Sequence, residues 1–302
     1  MYQINFDSPV HVHFIGIGGI SMSGLAEVLL QEGFTISGSD SQRSELTRHL
    51  EEKGATVFYG QTADNIKPGI DVVVYTAAIH PDNAEFAAAR SAGIPMLTRA
   101  ELLGEIMRNY KTAIAVAGTH GKTTTTSMIS MILLEAQADP TISVGGILPE
   151  IGGNIRVGRS DLFLTEACEY TNSFLSFFPK IGIILNIEED HLDFFKDLAD
   201  IRASFRKFAQ LLPADGTLFI NGDIENWQEI TEGLACRVVT FGTTSASDYY
   251  PSDISYNKTA DATFTVHSLN GQTRQLTLGV PGVLNISNVL AAVALSHLLG
   301  ID

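Results

Sequence analysis

Short apolar runs recur along the chain, each ending in glycine or polar turn residues and followed by a longer stretch with helical spacing. Residues 10–15 read as a strand that enters the turn Gly16-Ile17-Gly18-Gly19-Ile20-Ser21-Met22-Ser23-Gly24 and continues as a helix over 25–31. A second strand over 34–37 ends in Gly38-Ser39-Asp40, followed by a helix over 44–53 and a short strand over 56–58. Residues 71–76 have the continuous apolar character of a buried strand, 83–91 form an alanine-rich helix, and 95–97 a last short strand. Strands alternating with helices predict a parallel, doubly wound sheet.

Residues 99–111, helical through Met107, cross into a second region without a flexible Gly/Ser linker. Domains are therefore expected at 1–108 and 109–302. The second begins with the strand Ile114-Ala115-Val116-Ala117 and a helix through Leu134, then a strand over 141–144 with turns at Gly145-Gly146 and Gly152-Gly153-Asn154. Strands over 161–165 and 181–185, an amphipathic helix over 200–211, and strands over 216–221 and 238–241 continue the alternation. From about Tyr249 the period changes to two: 262–266 and 275–278, joined through Asn270-Gly271, read as a hairpin in an antiparallel flap on the main sheet. A final helix spans 285–299. The fold class is α/β: a Rossmann-like parallel-sheet first domain and a P-loop ATPase-type central domain with a small antiparallel flap.

A chain of 302 residues is long enough for two cores, and 45% hydrophobic with 18% charged residues describes an ordinary globular protein. With 19 basic against 34 acidic residues the formal charge is -15, which disfavours a nucleic-acid or anionic-membrane surface. A phosphate ligand must then be captured by local backbone and a few cations. The two cysteines, Cys168 and Cys236, lie far apart and read as reduced thiols, and no run reaches the roughly 18 apolar residues of a membrane span. A cytoplasmic protein, a monomer or weak dimer without nucleic-acid or membrane partners, is expected.

The chemistry concentrates in residues 118–126, Gly-Thr-His-Gly-Lys-Thr-Thr-Thr-Thr, between a strand and a helix. Glycines turn backbone N–H groups toward an anion, the helix N-terminus adds partial positive charge, Lys122 neutralises phosphate oxygens, and the Thr123 hydroxyl can hold Mg2+. The common pattern has a glycine five residues before Gly121, where Val116 stands; Gly118 makes this loop shorter. The competing reading is a tight strand-to-helix turn with a solvated Lys122. In the first domain, Gly16 and Gly18 match a dinucleotide-binding turn whose third glycine is replaced by Ser21, with Asp40 about 20 residues on, placed for a ribose contact or merely to cap the next helix.

Glu166 and His191 each follow an apolar strand, where the carboxyl ends of parallel strands open onto a ligand crevice. A carboxylate suits Mg2+ and imidazole is a less usual ligand, so the alternatives are a solvated strand end and a capping or core histidine. Glu169, Glu188, Glu189 and Asp190 either crowd this site or face water. Cys168 has no base at a recognisable spacing and reads as a buried or incidental thiol. Asn285 and Asn288, three apart on the last helix, can present amides to an adenine edge from one face, or Asn285 can simply cap the helix.

In this arrangement the chain resembles the amide-forming ligases of bacterial peptidoglycan synthesis, the Mur ligase family. The resemblance is carried by Gly16-Ile17-Gly18-Gly19 with 22–27, Ser37-Gly38-Ser39-Asp40, Arg99-Ala100-Glu101, the loop from Ala117 to Thr125, Glu166-Ala167 with Glu169, Asn186-Ile187-Glu188 with Asp190-His191-Leu192-Asp193, and Asn285 with Asn288. It implies that Gly16, Gly18, Gly19, Ser39 and Asp40 hold a uridine diphosphate sugar, and that Gly118, Thr119, His120, Gly121, Lys122, Thr123, Thr124, Asn285 and Asn288 bind ATP. Lys122, Glu166 and His191 would be catalytic, with Thr123 and Glu166 on one Mg2+ and His191 on a second. The implied reaction joins L-alanine to UDP-N-acetylmuramate through an acyl phosphate; His120 and the Gly-Ser-Asp strand end point to the L-alanine-adding branch.

Three positions depart from the family pattern: Ser21 for glycine, Leu284 for histidine, and Phe205 where some relatives carry a carbamylated lysine. The alternatives are a recycling ligase adding a preformed tripeptide to the same sugar nucleotide, a folate-type polyglutamate ligase, and a non-catalytic nucleotide-binding module. The family also has a third domain. This chain stops where the second should end, so a truncated form lacking the C-terminal third domain, and inactive alone, is expected.

Overall fold

The computed structural model describes residues 2–301. They divide into two units, one comprising residues 2–110 with Ile147–Gly158, the other Lys111–Gly146 with residues 159–301. The excursion Ile147–Gly158 thus clusters with the first unit, although the sequence reading assigned it to the second domain.

In the first unit the elements are β1 (His11–Ile15), α1 (Ile20–Gln31), β2 (Thr35–Asp40), α2 (Glu45–Glu52), β3 (Thr56–Tyr59), β4 (Val72–Tyr75), α3 (Ala84–Ser91), β5 (Met96–Thr98) and α4 (Arg99–Met107). The sheet has the order β3-β2-β1-β4-β5, every pair parallel. Val12, Phe14 and Ile15 in central β1 and Val72, Val73 and Val74 in β4 are fully buried, the continuous apolar pattern of strands covered on both faces. Capping boxes start two helices: Ser44 with Thr47 for α2, and Thr98 with Glu101 for α4.

Helix α1 begins at Ile20, well before the expected Leu25. Gly24 has the local character of a turn residue, but it lies inside the helix, where Ile155 of the excursion packs; a Cβ would come within 2.9 Å of the Ile155 side chain. Ser21 is exposed in the first turn of the helix.

Along the chain follow β6 (Thr112–Ala117), α5 (Lys122–Glu135), β7 (Thr141–Leu148), β8 (Gly153–Arg156, in the excursion), β9 (Leu162–Ala167), β10 (Ile181–Ile184), α6 (Leu198–Ala209), β11 (Thr217–Asn221), α7 (Gln228–Thr231), β12 (Arg237–Phe241), β13 (Tyr250–Tyr256), β14 (Ala262–His267), β15 (Thr273–Thr277) and α8 (Leu284–Leu298). Within the second unit the sheet has the order β12-β11-β10-β6-β9-β7. β10 pairs in parallel with β6, and β6 with β9, so the ends of these three strands are neighbours.

One expectation is corrected: Gly145-Gly146 is not a turn, because β7 runs through both glycines to Leu148. The period-two segment forms the expected small antiparallel unit, the three-stranded sheet β13-β14-β15, with the hairpin pairing β14 and β15. Its inward residues Ala262, Phe264 and Val266 share a core with Ile129 and Leu133 of α5 and Leu290 and Ala291 of α8, so burial against helices selected the arrangement.

Candidate functional site

The loop after β6 is shaped by two glycines with distinct reasons. Gly121 has a left-handed backbone (φ 82°), and a Cβ on it would meet Asn288 Oδ1 at 2.9 Å; one on Gly118 would meet the Leu185 Cβ at 2.9 Å. Between them, the His120 N–H donates to Asn186 Oδ1 at 2.7 Å, while Asn186 Nδ2 donates to the His120 carbonyl at 3.0 Å. The Glu188 N–H donates to the Thr119 hydroxyl at 2.9 Å. Asn186 is a site residue to which the sequence reading attached no role; its signal was its place just beyond β10, the position Glu166 and His191 were noticed for. No side chain caps α5, so its first backbone N–H groups stay available to an anion.

Lys122 opens α5. Its ammonium donates to Glu169 at 2.9 and 3.3 Å and to the Gly118 and Thr119 carbonyls at 2.5 and 3.1 Å. The solvent-facing reading of Glu169 is therefore corrected: its side chain is only 2% exposed and that of Lys122 15%. Glu188 and Glu189 are exposed. Lys122 is thus not a solvated lysine but the partner of a carboxylate buried beside the loop.

Glu166 lies within β9, level with Val116 of β6. Its Oε2 accepts the Thr123 hydroxyl at 3.1 Å and its Oε1 accepts the Gly145 N–H at 2.6 Å. Thr123 and Glu166 thus present a hydroxyl and a carboxylate side by side, an all-oxygen donor pair that suits Mg2+. His191 is elsewhere: its Nε2 stands 3.7 Å from Glu169 Oε1, its backbone is left-handed (φ 52°), and its ring lies 4.5 Å from that of Tyr170. The Tyr170 hydroxyl donates to Asp193 at 2.8 Å, which holds the phenol pKa above its ordinary value. Among the described residues no three His, Cys, Asp or Glu side chains gather as a metal-binding group.

Asn285 does not cap α8, which starts behind Val283 without a side-chain cap. Its amide donates to the Pro281 carbonyl at 2.8 Å and accepts from Asn288 Nδ2 at 3.1 Å, tying the pair together with Asn288 against Gly121. Leu284 is 77% exposed. Phe205 is fully buried, edge-on to Phe174 at 5.4 Å. Cys168 and Cys236 form no disulfide, and burial pushes the Cys236 thiol up.

In the first unit, the Gly16 and Ile17 N–H groups donate to the Ser39 carbonyl at 2.8 and 2.9 Å, and the Gly18 N–H donates to Asp40 Oδ2 at 2.9 Å. A Cβ on Gly18 would stand 2.8 Å from that carboxylate oxygen. The capping alternative for Asp40 is excluded, since Ser44 caps α2. Gly19 stands at the N-cap of α1, which has no side-chain cap. Behind the turn runs a buried chain that sequence reasoning missed: the Ser39 hydroxyl donates to Glu85 Oε2, Glu85 Oε1 pairs with His13 Nε2 at 2.7 Å, and the Ser37 hydroxyl bridges the His13 and His11 rings at 2.8 and 2.7 Å.

Burial lowers the His11 imidazole pKa more than the Gly69 carbonyl raises it. With the folded value below the unfolded one, the unfolded chain binds the proton more tightly; this contribution is complete above about pH 6.5 and is lost as pH falls below it. The denaturation midpoint should therefore fall more steeply between about pH 7.5 and 5.5 for the native protein than for His11→Asn. Parallel profiles would contradict the assignment.

No helix among the described residues is long and apolar enough to cross a membrane. Over its full length the chain is 63% identical to the UDP-N-acetylmuramate–L-alanine ligase of Agathobacter rectalis and spans 66% of that protein. It is 59% identical to the enzyme of the same name from Lachnospira eligens, again over 66% of its length. Among solved structures it resembles the UDP-N-acetylmuramate–alanine ligase of Thermotoga maritima, with TM-score 0.78 and 31% identity over 97% of this chain and 66% of that one. A Neisseria UDP-N-acetylmuramate:L-alanyl-gamma-D-glutamyl-meso-diaminopimelate ligase gives TM-score 0.84 and 29% identity over 98% and 95%. Residues 11–111 match the Mur ligase family catalytic domain and residues 116–296 the Mur ligase middle domain, so the chain belongs to the Mur ligase family.

Proposed function

We propose that this chain supplies the sugar-nucleotide and ATP sites of a cytoplasmic ligase that joins L-alanine to UDP-N-acetylmuramate in peptidoglycan synthesis. The observation that carries the reading is the convergence of Lys122, Thr123 and Glu166 around an uncapped helix N-terminus at neighbouring strand ends. Residues 109–302 would bind ATP: backbone N–H groups of Gly118–Thr124 and the Lys122 ammonium on the phosphates, Asn285 and Asn288 toward the adenine. Residues 1–108 would hold the uridine diphosphate through Gly16, Gly18, Gly19, Ser39 and Asp40.

Thr123 and Glu166 would hold one Mg2+, whose chemistry is to draw charge from phosphate oxygens. His191 would serve a second ion, a role supported by family resemblance rather than by the donor set around it. The lactyl carboxylate of UDP-N-acetylmuramate attacks the terminal phosphorus of ATP, releasing ADP and forming an acyl phosphate. The amine of L-alanine then attacks the acyl carbon, loses a proton, and inorganic phosphate leaves. Lys122 stabilises the charge on the transferring group, so the protein's contribution is positioning and charge neutralisation rather than a side-chain nucleophile.

A second reading, addition of a preformed tripeptide to the same sugar nucleotide, is supported by the high structural likeness to the Neisseria ligase. The test has two parts. Calorimetry of this chain should register UDP-N-acetylmuramate and Mg-ATP; no Mg-ATP heat in this chain or in a form of its relatives' length would favour a non-catalytic module. In that longer form, phosphate release should depend on L-alanine, and release driven by the tripeptide alone would replace the first reading by the second.

A further inference from the structure

We infer that Gly145 is a positioning residue for the Glu166 carboxylate, and that glycine is required there to leave room for that carboxylate rather than to turn the chain. The inference rests on the reading of Thr123 and Glu166 as the Mg2+-holding pair. Gly145 sits inside β7 and has no left-handed backbone torsion, so an ordinary residue could adopt its conformation. What a side chain would meet is the Glu166 carboxylate itself, which would have to shift to make room. An added Cβ would lie 2.7 Å from Glu166 Oε2, 3.1 Å from its carboxyl carbon and 3.2 Å from Oε1. The Gly145 N–H meanwhile donates to Oε1 at 2.6 Å.

The backbone of β7 therefore grips one carboxylate oxygen while its missing side chain lets the carboxyl group lie flat against the strand. The other oxygen faces Thr123, which donates to it at 3.1 Å. Together these contacts select one Glu166 orientation and leave its oxygens beside the start of α5. The adjacent Gly146 provides a control, because a Cβ on it would meet only Thr123 Cγ2, at an ordinary 3.4 Å.

The expected consequence is a loss confined to metal-dependent nucleotide binding. Outer residues that orient a metal ligand are worth about 10–100-fold in metal affinity. Calorimetric ATP affinity is measured for each variant with saturating Mg2+ and with EDTA, and the ratio of the two is compared. Gly145→Ala should shrink the Mg2+ enhancement by about ten-fold or more while affinity in EDTA stays within about two-fold. Gly146→Ala should leave both values near those of the unaltered protein. Adding Glu166→Asp to Gly145→Ala shortens the side chain and withdraws it from the added methyl, so the double variant should lose less than the product of the single effects.

A Gly145→Ala protein that keeps the full enhancement while Glu166→Ala loses it overturns the inference and leaves the proposed function standing. Retention of the enhancement by Glu166→Ala instead overturns the metal-site reading beneath it. Should Gly145→Ala not fold, the amide NMR resonance of Gly145 decides: it should move strongly in Glu166→Ala, with Gly146 moving less, and an unmoved Gly145 resonance overturns the inference.

Discussion

Lys122→Ala should lower ligase turnover by about 10^3-fold, roughly 4 kcal/mol of transition-state stabilisation, the scale on which a preorganised charge at a reacting oxygen acts. The ammonium stands where α5 begins, held by the Gly118 and Thr119 carbonyls and by the Glu169 carboxylate. Most of the loss should appear in kcat, because backbone N–H groups of the loop continue to hold the phosphates when the side chain is gone. Steady-state phosphate release in a form of the protein with its relatives' length measures the first quantity, and ATP titration of this chain the second. A turnover loss of less than about ten-fold would remove Lys122 from the catalytic machinery.

Glu169→Ala should destabilise the second unit by about 3 kcal/mol, the lower part of the range for removing one partner of a buried ion pair. The lower part applies because Lys122 retains two carbonyl acceptors and some exposure to water. Removing Glu169 also takes away the carboxylate 3.7 Å from His191 Nε2, so the two site segments lose their shared anion. Glu169→Gln keeps an acceptor and should cost less. Urea unfolding of Glu169→Gln, Lys122→Met and the double variant tests the pairing: the double variant should be more stable than the sum of the single losses predicts. Strict additivity would show that the two charges are not coupled.

Both predictions concern a pair that lay half in view before the fold was known. Lys122 was legible because a strand, two glycines and a helix opening on Gly-Lys-Thr are consecutive, and local geometry follows from local residues. Glu169 was not, because a glutamate in a polar stretch after a strand has the same pattern whether it faces water or a lysine. The first unit shows the same division. Alternating apolar runs and helices announced its parallel sheet, since strands covered on both faces carry no two-residue period. The start of α1 was misplaced because Gly24 reads locally as a turn residue, whereas its function is to admit Ile155 from the excursion, far along the chain. Gly145-Gly146 misled for the same reason: absence of a Cβ allows a turn and a close approach equally well, and only the neighbour tells them apart.

The sequence by itself determined the fold class, most of the strands and helices, the glycine-bounded loop that opens α5, and the family. Each of these is written in runs of adjacent residues whose periodicity and turn chemistry act over a few positions. The tertiary structure alone decided which distant groups meet: Lys122 with Glu169, 47 residues on; Gly145 with Glu166, 21 on; His120 with Asn186, 66 on; and His13 with Glu85, 72 on. Those meetings follow from strand orders, β10-β6-β9-β7 in one sheet and β2-β1-β4 in the other, that differ from the order along the chain. Sheet order is selected by how whole helices bury their apolar faces, a global balance that no window of sequence contains.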